Sequence, residues 1–412
     1  MVTLWGRSVV RGNAAALVAG VALAASVAGA CSSGDDGGAG ASGRADAADE
    51  GGAATGGSDG GAADVVFPGA EWDRAGDAAE LGFDQAVLDE LATQAERAGS
   101  NCLLVTRRGH IAGEWYWNGT DASSSQEVFS ATKSHASTLV GIAQADGALD
   151  IDDPASDYID AWAGTASEDV TVENLLSNDS GREWAFAIDY GQLPAQPDLD
   201  AFATGLSQQH EPGTSWAYNN AAIQTLDVVL REATGERAAD FADERLYGPV
   251  GMDDTSMTVD AAGNTAMFMG VRSTCEDMAR FGYLFLRGGT WDGTEVVPED
   301  WVDAAVGQPS QDLNAAYGYL WWLNRRGPIL SPLQATTPGA DAPDQPDSQL
   351  VPGAPEDMFF ALGLGNQIVA VDPGSETVVV RLGGAGAPAG AAPFDTAAAA
   401  RVVTDALVDA DA

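Results

Sequence analysis

The sequence predicts an α+β fold: an antiparallel sheet made from the first and last parts of the folded region, flanked by helices, with a mainly helical lobe inserted between them. Three observations carry this. Two strand-like runs, 102–106 and 110–117, flank Arg107-Arg108-Gly109, which reads as a hairpin turn. Three β-rich runs, 358–361, 367–371 and 377–381, lie near the other end. Between about 150 and 325 the apolar spacing is helical, over 171–176, 221–234, 238–247 and 274–287.

Taken in order, residues 1–30 read as an export signal, with Arg7 and Arg11 ahead of an apolar run. Ser26-Val27-Ala28-Gly29-Ala30-Cys31 resembles a bacterial lipoprotein signal, in which Cys31 becomes the lipidated first residue; Ala28-Gly29-Ala30 also suits an ordinary cleavage that leaves a soluble protein. The run is short for a full membrane span. Residues 31–66, almost all Gly, Ala, Ser and Asp, form a tether that cannot bury enough surface to fold. Gly56-Gly57-Ser58-Asp59-Gly60 matches a nucleophile-elbow pattern, but lacks the strand and helix which that pattern needs, so the match is chance.

The folded domain is placed at 67–412, and a 45% hydrophobic composition supplies a large core for it. Apolar spacing predicts a helix over 81–98, then the hairpin, then a helix over 129–145 ending before Gly147. Ser273 or Thr274 with Asp277 offers an N-cap for the helix at 274–287. A Pro-rich irregular stretch covers about 327–357, and a last helix is expected around 397–407. Cys102 and Cys275 are permitted to pair in an exported protein, but their local contexts, an apolar run and a helix start, predict two separate small residues.

The formal net charge is −42, which excludes nucleic acid and anionic lipid headgroups as partners. Every basic residue except Lys133 is an arginine. Arg serves surface charge as well as Lys does, but it is too basic to accept a proton, whereas a buried Lys can lose its proton near neutrality. The one retained lysine stands in Ser130-Ala131-Thr132-Lys133. Residues three apart on a helix share a face, so Lys133 can reach the Ser130 hydroxyl and activate it as a nucleophile. A Ser in the first turn also lies beside free N–H groups that favour negative charge.

A second segment, Glu211-Pro212-Gly213-Thr214-Ser215-Trp216-Ala217-Tyr218-Asn219-Asn220, is a turn leading into a helix. Tyr218 can relay a proton there, and Asn220 can donate a hydrogen bond to substrate. Taken alone, this segment reads as a turn with a buried Tyr.

With Gly147-Ala148-Leu149-Asp150, the 170–181 segment, Tyr317-Gly318-Tyr319-Leu320-Trp321-Trp322 and Gly363-Leu364-Gly365-Asn366-Gln367, these motifs resemble the serine β-lactamase and penicillin-binding superfamily. The likeness falls on the branch of class C β-lactamases, related esterases and 6-aminohexanoate-dimer hydrolases, and covers about 67–409. It implies a β-lactamase/transpeptidase-like fold and a serine hydrolase that forms an acyl-enzyme on an ester or amide substrate, without metal or organic cofactor. It also implies Ser130, Lys133 and Tyr218 as catalytic, and Asn220 and Gly363 as substrate-binding. The backbone N–H groups of Ser130 and Leu364 become the oxyanion hole.

One departure bears on substrate. Where β-lactamases carry K-T-G, this sequence has Ala361-Leu362-Gly363, so the cation that would bind a substrate carboxylate is missing unless an Arg such as Arg182 replaces it. Esterase or aminohexanoate-hydrolase chemistry is therefore expected ahead of β-lactam or D,D-peptide hydrolysis, with a non-catalytic binding protein as the rival of another class. His110, His135 and His210 form no triad or metal motif, and the tryptophans read as core or pocket wall; Trp184, after the Ser180-Gly181 turn, is placed at the cleft.

Overall fold

The computed structural model describes residues 65–339 and 348–408; the expected export signal, Cys31 and nearly all of the tether lie outside the described residues. The main sheet has seven strands. In chain order its strands and those of two small sheets are β1 (Asp73–Arg74), β2 (Ser100–Arg107), β3 (His110–Tyr116), β4 (Gln126–Glu127), β5 (Ser256–Met257), β6 (Val271–Ser273), β7 (Thr290–Trp291), β8 (Thr294–Glu295), β9 (Trp322–Leu323), β10 (Phe359–Gly363), β11 (Gln367–Asp372) and β12 (Thr377–Gly383). The main sheet runs β1-β3-β2-β12-β11-β10-β9, antiparallel except for β1 against β3.

The N-terminal hairpin thus joins the C-terminal strands through β2 and β12, paired with Val379 opposite Val105. All of β11 and β12 and nearly all of β2 are buried, so these central strands read as continuous apolar runs instead of alternating ones. The expected class, a sheet shared by the two ends with helices between, is the fold observed.

Local chemistry sets the helix boundaries. The helix expected from 81 begins at Gln85, because Gly82 ends a short turn at φ 75° and the Asp84 carboxylate caps Ala86 N–H at 2.8 Å. Helix Cys275–Leu286 is capped as expected, Asp277 N–H donating to Thr274 Oγ1 at 3.1 Å. The 221–234 stretch divides into Asn220–Gln224 and Leu226–Thr234, where the Thr225 hydroxyl bonds back to Ala222 O at 2.6 Å. Helix Thr132–Ala145 is buried from Thr132 through Ala143, which makes it the central post of the molecule. Outside 340–347, which is not described, the Pro-rich stretch carries neither strand nor helix.

The structure corrects one expectation. Cys102 and Cys275 form a disulfide, their Cα atoms 6.5 Å apart. The helix starting at Cys275 packs across β2, β11 and β12, and this brings its first turn onto Cys102. A sequence separation of 173 residues concealed that proximity.

Closing so long a loop restricts the unfolded chain, so the Cys102→Ser/Cys275→Ser variant is expected to lose about 2–5 kcal/mol of unfolding free energy in urea titration. An unchanged midpoint and slope would contradict this.

Candidate active site

Ser130 lies in a single 3-10 turn, Phe129–Ala131, that leads directly into helix Thr132–Ala145. The residue before it, Phe129, has φ 50°, an uncommon conformation for a bulky side chain. Two elements hold it there. Glu127 Oε1 accepts from Phe129 N–H at 3.1 Å and from Gly270 N–H at 2.8 Å, and the Thr132 hydroxyl accepts from Val271 N–H at 3.0 Å. The small sheet β4-β6-β5 therefore ties the Ser130 turn to the 268–271 segment. On the other side β10 packs against the same turn. A Cβ at Gly363 would fall 2.1 Å from Val128 O, so only glycine allows this approach.

Lys133 Nζ is 3.0 Å from Ser130 Oγ and donates to Phe268 O at 2.8 Å. Its side chain is 1% exposed. Burial lowers its pKa from 10.5 to about 7, against a smaller opposing pull from the Asp189 charge. Tyr218 completes the cluster: its ring centroid lies 4.6 Å from Lys133 Nζ, and the Ser130 hydroxyl opposes part of the rise in its pKa. Burial pushes its phenol well above the ordinary tyrosine range, so it stays protonated at neutral pH. Tyr317 and Trp322 wall the phenol, with centroids 5.9 and 5.6 Å from its ring.

The Tyr218 segment is fixed by Asn219, whose side chain accepts from Ala222 N–H at 2.9 Å and donates to Arg182 O and Glu183 O. Asn220 is buried beside Tyr218; its backbone N–H donates to Asp189 Oδ2 at 2.6 Å, and its side-chain oxygen has no partner among the described residues. The Trp184 indole donates to Tyr218 O at 3.0 Å. Trp184 also lines a cavity of about 220 Å³ with Asn178, Ala217, Asn219 and Thr336; Ser130 and Lys133 are not part of its lining.

Leu364 is exposed at the turn between β10 and β11. The structure thus gathers Ser130, Lys133 and Tyr218 at contact distance, packs Gly363 against the backbone leading into Ser130, and sets Asn220 and Trp184 beside Tyr218. Arg182 lines the same cavity as Trp184, with its side chain buried. Its guanidinium bonds Ser167 Oγ, Ala203 O and Thr204 O and lies 4.2 Å from the Trp162 ring centroid.

Sequence reasoning missed two residues. Asp189 is fully buried with one oxygen unpartnered among the described residues, and burial raises its pKa to about 7, countered by Asn220 N–H and the Lys133 charge. Its signal was a lone acid in the otherwise uncharged Trp184–Tyr190 run. Glu127 had no such signal, because its role depends on a strand pairing. His135 is buried and neutral, stacked on Phe281 at 3.9 Å, with burial lowering its pKa to about 3. Among the described residues no group of three His, Cys, Asp or Glu is placed to hold a metal.

Comparisons with known proteins bear on the family and the fold. A family model described as Beta-lactamase matches residues 85–404. A 6-aminohexanoate-dimer hydrolase of Paenarthrobacter ureafaciens is 24% identical over 278 residues, 59% of this chain and 69% of that one. A D-aminopeptidase of Brucella anthropi is 29% identical over 119 residues, 27% of this chain and 22% of that one. A crystal structure of a β-lactamase from Mycobacterium bovis superposes with a TM-score of 0.56 at 17% identity, covering 77% of this chain and 98% of that one, which shows a shared fold. Since the family model spans well over half of its residues, the chain belongs to the β-lactamase family and is a hydrolase of that fold, related to 6-aminohexanoate-dimer hydrolases.

Proposed function

We propose that Ser130 is the nucleophile, Lys133 its base and Tyr218 the proton relay in hydrolysis of an ester or amide bond through an acyl-enzyme. The observation that carries this reading is a buried amine, neutral in good part at pH 7, lying 3.0 Å from a serine hydroxyl. Ser130 Oγ attacks the carbonyl carbon as its proton passes to Lys133 Nζ. The N–H groups of Ser130 and Leu364 hold the resulting oxyanion. On collapse, Tyr218 gives its proton to the leaving group and is reprotonated from Lys133. Water then attacks the acyl carbonyl, losing a proton to the same pair, and Ser130 leaves with its proton restored. Asn220, Gly363 and Trp184 contact the bound substrate.

The substrate is a small ester or amide, of the kind taken by carboxylesterases or 6-aminohexanoate-dimer hydrolases. The absence of a cation in Ala361-Leu362-Gly363, together with the engagement of Arg182 elsewhere, supports this over a β-lactam or D-Ala-D-Ala peptide. We also propose that the protein is exported and anchored through Cys31, a setting with which the Cys102–Cys275 disulfide agrees.

Wild type is expected to turn over p-nitrophenyl butyrate faster than nitrocefin, and Ser130→Ala to lose about 10³-fold or more of that activity together with fluorophosphonate labelling. Rapid nitrocefin turnover would reverse the substrate assignment, and an active Ser130→Ala would remove the mechanism.

The pH profile follows from Lys133. Protonation disables the base, so kcat/KM should fall below pH about 7 and level off above it. Because the Asp189 charge raises the Lys133 pKa, Asp189→Asn should move this acid limb to lower pH. A limb that stays in place, or a rate flat from pH 5 to 9, would count against the assignment.

A further inference from the structure

The turn Leu364-Gly365-Asn366, which carries the oxyanion-binding N–H in the reading above, is held by an arrangement that reading does not use. All three of its carbonyls are tied to two buried side chains. Gln367 Nε2 donates to Leu364 O at 2.9 Å, while Arg381 Nη1 donates to Gly365 O at 2.5 Å and Asn366 O at 2.9 Å. Both side chains are themselves braced. The Gln367 amide exchanges two bonds with the Gly383 backbone, at 3.0 and 2.8 Å, and Arg381 Nε donates to Ser100 Oγ at 2.7 Å. Gly365 and Asn366 have φ of 78° and 60°, so the turn is one defined left-handed conformation, and a Cβ at Gly365 would sit 2.4 Å from Gly384 O.

Arg381 is 2% exposed and, among the described residues, forms no ion pair. A guanidinium stays charged at neutral pH even when burial weakens it. Its positive charge thus faces two carbonyls of the turn without a carboxylate to neutralise it. Such a fixed charge favours negative charge developing nearby.

We propose that Arg381 and Gln367 are positioning residues for the oxyanion: they lock the turn so that Leu364 N–H is presented to the reacting carbonyl, and Arg381 adds unneutralised positive charge beside it. This rests on the Ser130 reading. It moves the cation missing from Ala361-Leu362-Gly363 to a buried position on β12, where it serves the transition state instead of a substrate carboxylate.

The test compares Arg381→Met, Arg381→Lys and Gln367→Met with wild type, using p-nitrophenyl butyrate kinetics, phenylboronic acid affinity and thermal melting. Boronic acids become tetrahedral anions on a serine oxygen, so their affinity reads oxyanion stabilisation. The expected result is a kcat loss of about 10- to 100-fold in both Met variants, with KM changed less than about twofold. Phenylboronic acid binding should weaken by a matching factor, the acid limb should stay at the wild-type pH, and Arg381→Lys should regain part of the loss. If Arg381→Met does not fold, Gln367→Met decides on the same readouts. Folded variants with wild-type kcat and boronate affinity would overturn the inference alone, whereas wild-type hydrolysis that survives Ser130→Ala would overturn the parent reading as well.

Discussion

Burial of a single amine beside a single hydroxyl is the constraint around which this molecule is arranged. In a chain of net charge −42, the surrounding field favours a protonated lysine, and only removal from water reverses that preference. The move from 10.5 to about 7 corresponds to roughly 5 kcal/mol of lost preference for the charged form. Helix Thr132–Ala145 makes this possible by being buried through Ala143, so that its first turn opens onto the site while the rest stays in the core.

The backbone around Ser130 is held from two directions by parts of the chain far apart in sequence. The Glu127 carboxylate joins the strained Phe129 peptide to Gly270, two residues beyond the carbonyl that takes the Lys133 hydrogen bond. From the other side, β10 presses Gly363 against Val128 O. A sheet made from both ends of the chain is what brings these pieces together, and the disulfide from β2 to the helix beginning at Cys275 ties that sheet to the layer covering it. Fold and chemistry meet in the same few backbone contacts.

Much of this was legible in the sequence because it was local. The 3.6-residue spacing gave the helices, and the apolar runs at 102–117 and 358–381 gave the strands to within two residues. A sole lysine three residues after a serine is a local pattern too, and the distance between their side chains follows from helix geometry. What stayed hidden depends on contacts between remote segments. The Cys102–Cys275 bond, the Glu127 clamp, the approach of Asp189 to Lys133 and the commitment of Arg182 to Ser167, Ala203 and Thr204 all require the tertiary fold. Helix starts differed where a cap outranked hydrophobic spacing, as Asp84 did before Gln85.

The central claim concerns the charge state of one side chain, and the composition allows it to be observed alone. Protein labelled selectively with ¹³C,¹⁵N-lysine yields one side-chain signal, from Lys133, so its NMR titration follows this amine without interference. The account predicts a midpoint near 7, moved to lower pH in the Asp189→Asn variant. A midpoint near the ordinary lysine value of about 10.4 would contradict it.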